Sequence, residues 1–95
     1  MSNEKSYYMP ELSKDGAIGI ILLLDQEGEI RARDLLRAKN NYYLAMRLAI
    51  SLKEIGLINA KKINSPRVVY TFSLTPKGKK VADKLKEIRK IIDSQ

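Results

Sequence analysis

Hydrophobic and polar positions change their rhythm three times along this chain. Residues 17 to 24 (AIGIILLL) are apolar almost without interruption, predicting a helix from about Gly16 to Gln26, capped by Ser13 or Asp15 and buried on most sides. Gly28 breaks it, Glu29-Ile30-Arg31 has room for one short edge strand, and a helix from about Ala32 to Ala38 follows with Leu35 and Leu36 inward and Arg31, Arg33 and Arg37 outward. Lys39-Asn40-Asn41 is the turn into the stretch that organises the rest, NNYYLAMRLAISLKEIGLI. There Ala45, Leu48, Ala49, Leu52 and Ile55 recur at steps of three and four, an Asn stands at the cap position and Gly56 closes the helix.

After Gly56 the period drops to two. Leu57 to Ile63 and Val68 to Leu74 read as a hairpin around Asn64-Ser65-Pro66-Arg67, with Val68, Tyr70, Phe72 and Leu74 on one face and Val69, Thr71 and Ser73 on the other. Thr75-Pro76 then opens a last helix, Thr as cap and Pro at the first position, reaching about Asp93. The expectation is a mainly helical α+β domain. Its divisions are an N-terminal arm (1–14) that drapes over the domain or a partner subunit, a core (15–74) and a C-terminal helix (75–95).

Composition narrows the chemistry. Ninety-five residues hold one small core. The absence of Cys and His removes disulfides, thiolate or imidazole metal sites and the common nucleophile-base pairs; Asp34, Glu54 and the serines form no catalytic constellation. An enzyme, a metal site and a cofactor are not expected. The apolar run at 17 to 24 falls short of the ~20 residues that span a bilayer, and no basic stretch precedes it as in a signal peptide. No membrane association is expected, and the expected location is the cytoplasm.

The net charge of +7 is unevenly placed. Residues 1 to 41 carry six Lys/Arg against seven Asp/Glu, residues 42 to 70 five against one, and residues 76 to 95 seven against three. Basicity therefore gathers around and after the central helix, which fits a polyanion partner, although a solvated basic surface gives the same total. With its inward stripe buried, that helix leaves Tyr42, Tyr43, Met46 and Arg47 on its outer, N-terminal part, a shape suited to a DNA groove. Arg47 is the leading base-contacting candidate, because a guanidinium matches both acceptors of a guanine edge. Its alternative is an ion pair with Asp34 or Glu54, and the tyrosines are alternatively rim residues of the preceding helix.

The motifs SLKEIGLI at the end of the third helix and VVYTFSLTPKGKK at the hairpin-helix junction (Tyr70, Leu74, Thr75, Gly78) resemble the winged helix-turn-helix transcription regulators of prokaryotes. The MarR-like branch and small archaeal members are the most similar. The resemblance covers about residues 15 to 90. It implies a winged helix fold, with a recognition helix at about 41–55 entering the major groove of double-stranded DNA. The hairpin tip at about 61–67, with Lys61, Lys62 and Arg67, would be the wing on phosphates or an adjacent minor groove. It also implies a nucleoid-associated transcriptional regulator. Tyr42 and Tyr43 depart from the small polar residues usual at that position, and metal sensing of the ArsR kind has no Cys or His to carry it.

Lys77, Lys79 and Lys80 fall in the first turn of the last helix, where the macrodipole disfavours cations; the expectation is that they, Lys77 foremost, contact phosphate or lay their stems over apolar surface. Val81, Leu85, Ile88 and Ile92 repeat at four, three and four residues with Ile91 beside them, a heptad-like seam on a helix of about 19 residues, roughly 28 Å. That predicts a homodimer, the alternative being packing within one subunit. Against sequence-preferring regulation stand two other expectations, a nonspecific architectural chromatin protein and a winged-helix module for protein-protein contacts. The operator, the sign of regulation and any small-molecule effector are not encoded legibly.

Overall fold

The computed structural model describes residues 9–64 and 66–94. Its elements are α1 (Pro10–Ser13), α2 (Ala17–Glu27), β1 (Ile30–Arg31), a 3-10 helix (Ala32–Arg37), α3 (Tyr42–Glu54), β2 (Ile58–Ile63), β3 (Val69–Leu74) and α4 (Pro76–Asp93). The mainly helical α+β expectation holds. Residues 10 to 13 form a single helical turn where no element was expected; the reading of residues 1–8 as part of a draping arm lies outside the described residues.

α2 starts differently from the sequence expectation. Neither Ser13 nor Asp15 caps it; Gly16 holds the cap position at φ +99°, a left-handed conformation that suits a residue without a Cβ. A side chain at Gly16 would also press on Leu48 and Lys39, both 3.1 Å from a built Cβ. The helix expected to be buried on most sides has one fully buried stripe, Ala17, Ile20, Ile21 and Leu24, with Leu22 and Leu23 half-buried and Ile18 exposed.

The next segment is a 3-10 helix, and its tighter winding corrects the inward pair expected there. Three residues per turn align Ala32 with Leu35, and both are buried, which leaves Leu36 exposed. At its start Asp34 Oδ2 accepts from the Arg31 main-chain N–H at 3.3 Å.

The sheet is antiparallel in the order β1-β3-β2. Its register sets Ile30, Phe72 and Ala60 in one row and Arg31, Thr71 and Lys61 in the next. Successive residues face opposite ways, so the first row turns to the core, where Phe72 is among the most deeply buried side chains, and the second turns away. Val68 and Tyr70, expected on the inward face with Phe72, are exposed because the hairpin runs out beyond the core.

One core collects Ile20, Ile21 and Leu24 of α2, Leu35, the α3 residues Ala45, Leu48, Ala49 and Leu52, then Leu57, Ile58 and Phe72, and Ala82 of α4. α4 is joined to α3 at a tight junction. Thr75 caps α4 by accepting from the Gly78 N–H at 2.9 Å, and its hydroxyl donates to the Gly56 carbonyl at 2.6 Å. The Thr75 N–H donates to the Leu57 carbonyl at 3.0 Å. Gly78 packs so closely on Leu57 that a Cβ there would meet its carbonyl oxygen at 2.0 Å. Among the described residues no helix is long and apolar enough to cross a membrane.

Candidate nucleic-acid interface

α3 is fixed at both ends. Asn41 caps it, its side-chain oxygen accepting from the Leu44 N–H at 3.0 Å. At the other end Gly56, at φ +84°, turns the chain into β2, and the Leu57 N–H donates back to the Leu52 carbonyl at 3.0 Å. Ala45, Leu48, Ala49 and Leu52 are buried as expected, and Ile55 is half-buried.

The opposite stripe, at steps of four, three and four, is Tyr43, Arg47, Ile50 and Glu54, all exposed. Tyr43 is 66% exposed, and the Arg47 guanidinium lies over its ring, 5.6 Å from the centroid, with one N–H donating to the Tyr43 hydroxyl at 3.4 Å. A cation over an aromatic face at this distance is attracted to it. The alternative expected for Arg47, an ion pair with Asp34 or Glu54, does not form. Tyr42 is exposed on the wing-facing side of α3. Met46, expected on the outer part, is half-buried against the core, since a position 100° from the buried stripe still reaches it.

Two clefts flank α3. On the wing side Arg31, Arg33, Tyr42, Arg67 and Tyr70 line a cleft of about 280 Å³. On the other side Lys14, Lys39, Leu44, Arg47 and Ser51 line one of about 260 Å³. Lys39 is held there by Asp15, Nζ to Oδ2 2.8 Å, and the hydrogen bond from Lys39 holds the Asp15 carboxyl below its ordinary pKa.

The three basic wing residues do not share one face of the hairpin. Lys61 lies in the middle of β2 rather than at the tip, facing away from the core beside Thr71, and its ammonium is 3.5 Å from Glu29 Oε2. Glu29 also accepts from the Thr71 hydroxyl at 2.8 Å; that hydrogen bond first, then the Lys61 charge, lowers its pKa. Lys62 faces the opposite way, across from Tyr70, and Arg67 joins the wing-side cleft.

Lys77 is also placed differently from the expectation. Its ammonium donates to the Ile55 main-chain carbonyl at 3.0 Å, capping the end of α3. Lys79 is committed to Asp25 at 2.5 Å. In the proposed dimer seam, Val81 and Leu85 pack against the core of their own chain, whereas Ile88, Ile91 and Ile92 are exposed, the last two at 73% and 74%. Within α4, the exposed apolar face is thus confined to the distal half among the described residues. Among the described residues no cluster of three His, Cys, Asp or Glu side chains is placed to hold a metal ion.

Sequence reasoning passed over Arg31 and Arg33 as contact residues, and Ile50 and Glu54 as members of the outer stripe. Helical spacing from Tyr43 and Arg47 identifies the second pair. For the first pair no local pattern exists, because only the fold brings the residues after β1 against the wing.

The sequence matches no protein-family model and no curated protein sequence. Solved structures do match. A transcriptional regulator homologue from Pyrococcus horikoshii OT3 superposes with a TM-score of 0.77 at 16% identity, covering 95% of this chain and 92% of that one. A protein assigned to the MarR family of transcriptional regulators, from Porphyromonas gingivalis W83, gives a TM-score of 0.81 at 25% identity over 100% and 98%. The transcriptional repressor BigR from Xylella fastidiosa gives 0.68 at 19% identity over 98% and 90%. A short helical turn and a helix, a short strand, a 3-10 helix, a further helix, a two-stranded wing and a terminal helix, in this order, make a winged helix-turn-helix fold. The fold is similar to that of the MarR-family protein and the other regulators above.

Proposed function

We propose that this chain is a transcriptional regulator that binds double-stranded DNA with sequence preference, α3 entering the major groove and the wing resting on the backbone or minor groove. The observation that carries it is the outer stripe of α3. Tyr43 and Arg47 stand exposed on a rigidly capped helix, Arg47 has no carboxylate partner among the described residues, and basic clefts lie on both sides. This stripe belongs to a scaffold shared with proteins named as transcriptional regulators and a repressor. Arg47 is the base-reading residue; Tyr42 and Tyr43 contact sugar, phosphate or thymine methyls; Lys62 and Arg67 contact phosphate. Met46 and Lys77 act indirectly, by seating α3.

The protein works as a homodimer through Ile88, Ile91 and Ile92, the exposed part of α4, which sets two recognition helices about one helical turn (~34 Å) apart. Its place of action is the cytoplasm, on the nucleoid.

The test is a salt series of binding to genomic fragments and to random duplex. A protein with about 6 to 10 phosphate contacts loses roughly a thousandfold or more between 50 and 200 mM salt, and a regulator keeps a preference for some fragments throughout. Equal binding to all duplexes would make it an architectural protein. Absence of salt-dependent binding would make it a protein-interaction module. Sedimentation at micromolar concentration tests the dimer, which truncation after Lys84 should abolish.

A further inference from the structure

The wing-side cleft has an unusual charge balance. Arg31, Arg33 and Arg67 line it with Ala32, Tyr42, Val68, Val69 and Tyr70, and no carboxylate is among these residues. Arg37 and Arg89 do find acids, Arg37 at 3.3 Å from Glu27 and Arg89 at 3.9 Å from Asp93, and Arg47 lies over Tyr43. No described carboxylate comes within ion-pair distance of Arg31, Arg33 or Arg67; Asp34, the nearest in sequence, is engaged with the Arg31 main-chain N–H. Like charges gathered around one concavity repel, and an anion between them relieves that repulsion.

Guanidinium groups suit a phosphodiester, because each offers two parallel N–H donors to a pair of phosphate oxygens. The two tyrosines add hydroxyl donors. Position identifies the source of the phosphate: Tyr42 is the first residue of α3, so the cleft opens beside the end of α3 that enters the groove.

We propose that Arg31, Arg33 and Arg67 form a clamp for a single backbone phosphate of duplex DNA, walled by Tyr42 and Tyr70. This rests on the DNA-binding reading above and adds a contact made from two sides at once, by Arg31 and Arg33 at the junction of β1 with the 3-10 helix and by Arg67 of the wing. Because both sides hold the same phosphate, the clamp ties the wing to the segment that precedes α3 when DNA is bound. It carries no sequence information; it sets the register from which Arg47 reads.

The experiment compares Arg33→Gln, Arg67→Gln and the double variant on random duplex and on a preferred genomic fragment across a salt series. Thermal melting serves as the folding control, since both positions are exposed. Each single variant should lose about tenfold in affinity, equally on both DNAs, with a salt slope shallower by about 1. The double variant should lose little more than either single one, because one phosphate has already been released. Wild-type affinity in both single variants, or a fully additive loss of about a hundredfold in the double, would overturn the clamp while leaving the DNA-binding reading intact. Absence of salt-dependent binding by the unmodified protein would remove both. A rise in melting temperature with inorganic phosphate alone, lost in the double variant, would reassign the cleft to a free anion and overturn the proposal.

Discussion

Lys77 and Ile55 join the start of one helix to the end of another: the lysine ammonium donates to the isoleucine carbonyl at 3.0 Å, and a built Cβ on the intervening Gly56 would lie 3.7 Å from the same ammonium. Carbonyls at a helix C-terminus lack intrahelical donors and carry the negative end of the macrodipole, so a cation is stabilising there. A lysine that is unfavourable for its own helix thus serves its neighbour. Lys77→Met, which keeps the stem, should lower stability by about 0.5–1 kcal/mol in denaturant titrations. DNA affinity should fall by the same modest factor at low and high salt, whereas a phosphate contact would shift the salt slope.

Asp25 holds α4 against α2. Its carboxylate is within 2.5 Å of the Lys79 ammonium and 2.7 Å of that of Lys86. The hydrogen bonds from Lys79 and Lys86 lower its pKa below 3.8, and Asp25 in turn raises both lysines above 10.5. A depressed carboxylate contributes stability that is full above pH 3.8 and lost as pH falls through its folded value. A raised lysine contributes stability that is full below pH 10.5 and lost as pH rises through its folded value. Asp25→Asn should therefore lower the melting temperature throughout the neutral range and flatten both limbs of its pH profile. Unchanged limbs in that variant would show that the network contributes nothing.

Gly78 has no room for a side chain, with the Leu57 carbonyl 2.0 Å from a built Cβ. Gly78→Ala should cost about 1–3 kcal/mol through forced backbone displacement, or roughly 4–8 °C per kcal/mol in a domain of this size. Gly28→Ala is the contrasting case, strain without a clash, because its φ is +81° and nothing lies within 4 Å, whereas Gly78 has no positive φ.

Asn41→Ala removes the cap of α3, with an expected cost of about 0.5–2 kcal/mol. The damage falls on the turn that carries Tyr42 and Tyr43, so amide hydrogen exchange should rise at the start of α3 before it rises in α2. DNA affinity should fall by more than the population of unfolded protein accounts for.

How much of this was legible beforehand follows from the range of the interactions involved. Asn41, Gly56, Thr75 and Pro76 declare their roles within a few residues, and the buried stripe of α3 follows from its period alone. Three-residue winding at Ala32 to Arg37 was hidden, because six residues do not distinguish a 3-10 from an α-helical pattern until Leu36 is seen outside. Lys77 read as a phosphate contact since its partner lies 22 residues away. Arg31 and Arg33 went unnoticed beside Arg67 for the same reason: long-range sheet register, not local pattern, brings them together.

β2 is an outer strand of the sheet, so one row of its backbone donors and acceptors has no partner within the sheet. Such an edge invites another chain to add a strand, and charged side chains are a common defence. Lys61 and Lys62 sit in the middle of its six residues. These two charges therefore help to keep the wing from pairing with its own kind, whatever they add to DNA binding on the proposed reading. Neutralising both lysines would weaken binding and solubility together, so particle size belongs beside affinity in any scan of this hairpin.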